Sequence, residues 1–310
     1  MKWHSENLET VPCDFCESTS VRHVFRRDDG LNVVECSECG LCFISPRPTP
    51  EMIHHLYDKD YFKKQSESSE IGFSNYLSES NCKGMIAASQ MRLNIFREIT
   101  GVQPKKCLEI GCATGEFCHV VSQIGASVVG IDLSEFAIVQ AKEKYADIDF
   151  RSGGIEILGN DEQFDVIFAF ELIEHVLSPK LFLKNAKQHL KEGGFLVLAT
   201  PNYECGKKAG IEKWIGFSMS FEHLYFFTPE ILNYYAQEQG LSVVKCLTGG
   251  GNGVVATTSK SQKVKQFLRY LIEKANLLNF VKAARNKLYS GYYSYQICGY
   301  QHNLFMIFRN

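Results

Sequence analysis

The stretch KCLEIGCATGEF, Lys106 to Phe117, runs five strand-like residues into a glycine-rich turn that opens toward a helix. Glycine suits a place where backbone must come close to a bound molecule, and a helix start offers N–H groups that have no partner inside the helix. A dinucleotide would require G-x-G-x-x-G, with its pyrophosphate at the helix terminus. The three positions here are Gly111, Ala113 and Glu116, and a carboxylate at the third opposes a pyrophosphate.

Outward from Lys105, short apolar strands alternate with helices: KCLEI, GEFCHVVSQIG, SVVGID, SEFAIVQAKEKYA, DIDF and FDVIFAF. A helix in SPKLFLKNAKQHL is expected to stop at Gly193-Gly194, ahead of a buried strand, FLVLAT. This alternation implies right-handed crossovers and a parallel sheet with helices on both faces. A ligand then sits beyond the C-terminal strand ends, at the switch point next to the first strand. TPEILNYYAQEQG reads as a further helix with Thr228 as cap and Pro229 at its first position, LSVVKCL as a strand and NLFMIF as a closing strand.

S-adenosylmethionine carries no phosphate, tolerates Glu116 and still needs a tight turn against its adenosyl and methionine parts. In VVGIDLS, Asp132 stands at the end of the second strand, where a carboxylate can accept both hydrogen bonds of a ribose diol. The competing assignment for Asp132 is a helix-capping carboxylate.

LEIGCATGEF, GIDLS, FDVIFAFELIEHV, LKEGGFLVLATPN and HLYFFTPE follow one another in the order and spacing of the class I S-adenosylmethionine-dependent methyltransferases, which residues 85–250 resemble. The resemblance implies an α/β, Rossmann-like fold: a mostly parallel seven-stranded sheet with an antiparallel last strand. It implies that Glu109, Gly111, Ala113 and Gly115 shape the methionine side of the cofactor pocket and that Asp132 and Leu133 meet the ribose. Gly154 and Ile155 would read the adenine, with Phe170 and Glu171 closing the pocket at the fourth strand. Two positions depart from the family pattern. Ala113 replaces the middle glycine, and Gly154 replaces an aspartate, which leaves only backbone to read the adenine amine.

Cys13, Cys16, Cys36 and Cys39 form C-x2-C, nineteen residues, C-x2-C. Four thiolates on two turns match a closed, tetrahedral structural zinc site, and so small a segment has little else to fold around. Cys42 leaves an ambiguity, because Cys39 and Cys42 also make a pair; the glycine just after CSEC favours Cys36 and Cys39. The order of zinc-ribbon-like module, RPTPEMIHHLYDKDYF and methyltransferase domain resembles bacterial enzymes of sugar and polysaccharide biosynthesis, among them deoxysugar C-methyltransferases. By that likeness the module flanks an acceptor cleft.

Methyl transfer needs an acceptor held in line with the methyl carbon and a base for the acceptor's proton. His175, in ELIEHV after the fourth strand, is one candidate, with family packing as its alternative. His223, in FEHLYFF, is the sharper one. The resemblance to the deoxysugar enzymes makes Glu222 and His223 an acid–base pair at the acceptor; the alternative is that His223 only closes the cofactor pocket. Tyr76 could bring a phenol from the N-terminal side, although a lone tyrosine in a helical stretch is more often packing.

The remaining features set boundaries and exclude classes. The composition, 45% hydrophobic and 22% charged, is that of a folded globular chain, and the net charge of −2 lacks the field of a general nucleic-acid binder. Residues 8–45 carry more acidic than basic side chains, which disfavours an RNA-gripping module and an RNA-modifying role. The expected division is a zinc-ribbon-like module at 8–45, a helical linker at 46–100 and a methyltransferase domain at 101–310 with a basic helical insertion at about 258–295. From Lys260 to Lys287, eight Lys or Arg oppose Glu273 on an amphipathic pattern. That pattern fits a lid or dimer helix with a solvated basic face, or a helix lying on an anionic membrane. A cytoplasmic location, with peripheral contact at the inner membrane face, is the corresponding expectation. The acceptor expected is a small molecule, foremost a saccharide or nucleotide-sugar methylated at carbon or oxygen. The alternatives are a quinone or natural-product O-methyltransferase and a non-catalytic cofactor-binding protein.

Overall fold

The computed structural model describes residues 3–56, 76–210, 214, 221–249, 254–255 and 303–310. The basic segment from Lys260 to Lys287 lies outside the described residues.

Near the N-terminus β1 (Leu8–Glu9) pairs with β5 (Arg47–Pro48), and between them β2 (Val21–Arg26), β3 (Asn32–Cys36) and β4 (Cys42–Ile44) form an antiparallel sheet. Two helices follow, α1 (Pro50–Leu56) and α2 (Glu79–Thr100). The sequence sets both ends of α2. The Ser78 side chain accepts from Asn81 N at its start, and Gly101 closes it in a left-handed conformation at φ 69°. Its buried face presents Leu93 and Phe96, and Phe96 meets Phe168 and Phe195 edge to face.

The larger domain runs β6 (Lys106–Ile110), α3 (Glu116–Ser122), β7 (Ser127–Asp132), α4 (Glu135–Lys144), β8 (Asp149–Ser152), β9 (Phe164–Phe170), α5 (Pro179–Gln188), β10 (Leu190–Pro201), α6 (Tyr203–Ala209), β11 (Tyr225–Phe226), α7 (Pro229–Glu238), β12 (Ser242–Gly249), β13 (Val254–Val255) and β14 (Asn303–Arg309). The main sheet has the order β13-β12-β14-β10-β9-β6-β7-β8. From β10 to β8 its pairs are parallel, while β14 lies antiparallel between β10 and β12. With the short β13 set aside, this is the expected seven-stranded sheet with its antiparallel last strand. Strand order reverses at β6, with β7 on one side and β9 on the other, so the turn after β6 stands at the switch point.

The expected cap of α7 is made: Thr228 accepts from Ile231 N, with Pro229 in the first turn. Ser134 and Ser178 cap α4 and α5 in the same way, accepting from Ala137 N and Leu181 N. One expectation fails. Gly193-Gly194 does not end a helix: α5 stops at Gln188, and β10 begins at Leu190 and bulges between Leu190 and Phe195. The glycines permit that bulge, since Gly193 has φ 71° and a Cβ on Gly194 would lie 2.9 Å from the Lys191 carbonyl oxygen.

One apolar layer, with Leu93, Val121 and Ala141, fills the sheet face under α2, α3 and α4. The opposite layer joins Leu183 of α5 and Leu232 of α7 to Cys13, Val34, Leu41 and Phe43, so the Cys-rich sheet shares the core of the larger domain. That sheet also takes its fourth strand from the larger domain: β11 pairs with β4, Tyr225 opposite Phe43 and Phe226 opposite Cys42. No helix among the described residues is long and apolar enough to cross a membrane.

Candidate functional site

The turn after β6 is built from left-handed backbone. Gly111, Ala113 and Gly115 have φ 75°, 46° and 83°. A Cβ at Gly115 would fall 2.5 Å from Phe150 Cζ, so only glycine fits there, whereas Ala113 adopts the left-handed region despite its methyl group. Asp132, at the end of β7, accepts from Ala113 N and Ser134 N, each at 2.9 Å. Its carboxylate thus ties the turn to the start of α4, and burial moves its pKa upward. Glu109 lies beneath the turn, where it accepts from Cys118 Sγ at 3.0 Å, and burial pushes its carboxyl up to about 8.

Glu116 is less of an obstacle to a pyrophosphate than its charge suggests. Lys144 Nζ sits 2.9 Å from it and the Thr114 hydroxyl donates to it, so its charge is balanced locally. Tyr76 comes to the same place. Burial, then Glu116, Asp132 and Glu109, hold its phenol well above the usual tyrosine range.

The remaining predicted cofactor residues lie at the C-terminal ends of β7, β8 and β9. Glu171, at φ 50°, follows β9 and pairs with Arg92 at 2.9 Å, while the Arg92 guanidinium lies 4.6 Å over the Phe170 ring. Leu133 is exposed beyond β7, and Ile155 is buried. The Gly154 amide already donates to Glu156 Oε1 at 3.0 Å, which leaves less free backbone for an adenine than expected.

A second cluster forms beyond the end of β9, where Glu174 and His175 meet the segment before β11. Glu174 Oε1 lies 3.9 Å from His175 Nε2 and 4.0 Å from His223 Nε2, and the two imidazoles meet edge to face at 4.7 Å. The Glu174 carbonyl accepts from Leu224 N and Tyr225 N, which joins the two segments. Burial lowers His175 to about 4 and, with His175 and Arg27 nearby, holds His223 well below the usual histidine range. Burial raises Glu174 well above the ordinary carboxylate range. Glu222 is buried in the same segment. Burial thus favours the neutral form of both imidazoles, which can accept a proton, and at the same time lowers their basicity.

The four cysteines also converge. Cys13 Sγ lies 3.4 Å from Cys39 Sγ, Cys16 Sγ lies 3.5 Å from Cys36 Sγ, and all four sulfurs fall within 4.8 Å of one another. Tetrahedral zinc with bonds of about 2.3 Å would set sulfurs about 3.8 Å apart, so the donor set fits that ion. Cys42 settles in a different apolar cluster with Tyr203 and Trp214, which removes the ambiguity in the pairing.

Known proteins agree with this architecture. A family model described as a methyltransferase domain matches residues 87–246. The ubiquinone biosynthesis O-methyltransferase of Coxiella burnetii is 30% identical over 167 residues, 50% of this chain and 70% of that relative. The enzyme of the same name from Bradyrhizobium diazoefficiens is 37% identical over 101 residues, 31% of this chain and only 40% of that relative. The solved structure of the plantazolicin methyltransferase BpumL in complex with SAH superposes with a TM-score of 0.51 at 18% identity, covering 84% of this chain and 96% of that one, a likeness of fold. The fold and the turn at its switch point define a Rossmann-like methyltransferase. The chain belongs to the class I S-adenosylmethionine-dependent methyltransferases.

Sequence reading missed Arg27, Asp29 and Phe221. Arg27 reaches the His223 segment across 196 positions, and a lone arginine in RRDDG gives no local signal of that partner.

Proposed function

We propose that the protein transfers a methyl group to a hydroxyl oxygen of a small-molecule acceptor, with His223 taking the hydroxyl's proton. The observation that carries this is the placement of His223, buried with its Nε2 4.0 Å from Glu174 Oε1 and its ring 4.7 Å from that of His175, and with the Nδ1 of His223 lacking a hydrogen-bond partner among the described residues. S-adenosylmethionine, when bound, supplies an electrophilic methyl group on a cationic sulfur. Asp132 would hold its ribose, Gly111, Ala113 and Gly115 would admit its methionine part, and Gly154, Ile155 and Leu133 would border the adenosyl group. Glu222 would be the acid of the pair, His175, edge to face with His223, would orient it, and Tyr76 would cover the turn. Cys13, Cys16, Cys36 and Cys39 would bind a structural zinc.

The acceptor we favour is a phenolic hydroxyl of quinone-precursor type, a reading supported by the names of the Coxiella and Bradyrhizobium relatives. A saccharide or nucleotide-sugar acceptor is the second reading. It is favoured by the Cys-rich sheet, whose β4 holds the strand immediately after His223.

Methyl-labelled S-adenosylmethionine offered with 3,4-dihydroxybenzoate, and separately with nucleoside-diphosphate hexoses, tests both. Label on the phenol is expected; label on the sugar nucleotides instead would replace the first acceptor class by the second. His223→Ala is expected to lower turnover about 100-fold or more with cofactor affinity retained. Turnover near that of the wild type would remove His223 from the role of base.

A further inference from the structure

We infer that Arg27 is a positioning residue through which the Cys-rich module sets the orientation of His223. The inference rests on the reading of His223 as the base. Arg27 Nη1 donates to the His223 carbonyl at 2.9 Å and Nη2 to the Phe221 carbonyl at 2.8 Å. Its guanidinium also lies 5.4 Å from the centre of the Phe221 ring. The one fork therefore grips the backbone on both sides of Glu222. Residues 221–224 belong to no helix or strand; the Leu224 carbonyl accepts from Ile44 N of β4, while Arg27 takes up the carbonyls of Phe221 and His223.

Arg27 is itself fixed. Its Nε and Nη2 donate to Asp29, and both side chains are 0% exposed. Asp29 is held in turn by Trp3 Nε1 at 3.1 Å and Leu31 N at 3.2 Å. Taking this ion pair out of water is costly, and a well-packed apolar pair would give comparable or greater stability. What an apolar pair cannot do is donate to two carbonyls at a set spacing, which a planar guanidinium does. The β4–β11 ladder already attaches the module to the larger domain, so the Arg27 contacts are not needed for attachment. They act just ahead of that ladder, where the His223 ring must hold its place 4.7 Å from His175 and 4.0 Å from Glu174.

The test uses the full chain labelled with 15N-histidine, with the His223 ring resonances assigned by their loss in His223→Gln. In Arg27→Ala the His223 ring nitrogens are expected to shift by several ppm while affinity for S-adenosylhomocysteine stays within about twofold. Added guanidinium should return the signals toward their wild-type positions. Arg27→Lys keeps the charge but cannot span both carbonyls, so it should shift the same signals and keeps the test valid if the alanine variant does not fold. An Arg27 that only stabilised the module would lower the melting temperature and leave the His223 signals of the folded fraction in place, and that result would overturn the inference. His223 signals that shift in Arg27→Ala, together with turnover that survives in His223→Ala, would sink the base assignment and leave Arg27 as the group that orients this segment.

Discussion

The Ala113 amide donates to Asp132 Oδ2 at 2.9 Å, so the side chain at the end of β7 fixes the most strained residue of the turn after β6. The other Asp132 oxygen accepts from Ser134 N, while the cap of α4 is the Ser134 side chain, so Asp132 braces the loop and is not itself the helix cap. Removing it should loosen the turn and delete its hydrogen bonds to a ligand together. Asp132→Ala is expected to weaken S-adenosylhomocysteine binding by about 100-fold, from charge-assisted bonds of about 1.5–3 kcal/mol each. Calorimetry reads this directly, and unchanged affinity would exclude Asp132 from the ribose role.

Gly115→Ala should destabilise the fold by about 2–4 kcal/mol, because the new methyl meets Phe150 Cζ at 2.5 Å while the backbone keeps φ 83°. Adding Phe150→Leu relieves the clash but not the backbone strain, so only part of the loss should return. Urea unfolding of the single and double variants separates the two contributions.

Purified protein should hold one zinc per chain by emission spectrometry, and Cys13→Ser should lose it. Cys42→Ser should keep it, since Cys42 lies among Tyr203 and Trp214 instead. Metal loss in the Cys42 variant would mean that the ligand set is wrong. Prolonged chelation should unfold the Cys-rich sheet and release β11 from β4, seen as faster amide exchange at Tyr225 and Phe226.

Glu109 makes stability depend on pH in a stated direction. Its carboxyl is pushed from 4.5 to about 8 by burial, so between those values the folded chain holds a proton that the unfolded chain has released. Stability should then fall as pH rises through this window, with a slope of about 1.4 kcal/mol per unit from this group. His175 acts oppositely, but only between about 4 and 6.5. In urea unfolding of the cofactor-free protein from pH 6.5 to 8, Glu174, whose carboxyl burial also holds well above the ordinary range, adds to the slope in the same direction, so Glu109→Gln should reduce the slope and leave the share of Glu174. A slope unchanged in the variant would assign it to another group, Glu174 first.

Much of the larger domain was legible because its signals are local. Ser134, Ser178 and Thr228 cap helices that begin within three residues of them, and the apolar runs KCLEI, SVVGID and FDVIFAF need only their own composition to mark buried strands. The four zinc-spaced cysteines are likewise two short pairs. Gly193-Gly194 misled because a glycine pair has the same appearance at a helix stop and at a strand bulge; pairing with β9 decides between them. Cys42 could not be placed for a similar reason, since its neighbours Tyr203 and Trp214 are far along the chain.

The sequence by itself determined the strand–helix alternation, the turn that must contain left-handed residues, and the pairing of carboxylate and histidine at ELIEHV. Those follow from backbone sterics and from side chains that act on near neighbours. Tertiary structure alone decided that β11 completes the Cys-rich sheet and that Arg27 grips the segment of His223. It also brought His175 and His223 edge to face, and burial there lowers the pKa of both. Burial and long-range hydrogen bonding depend on which surfaces meet, and no window of sequence contains both partners.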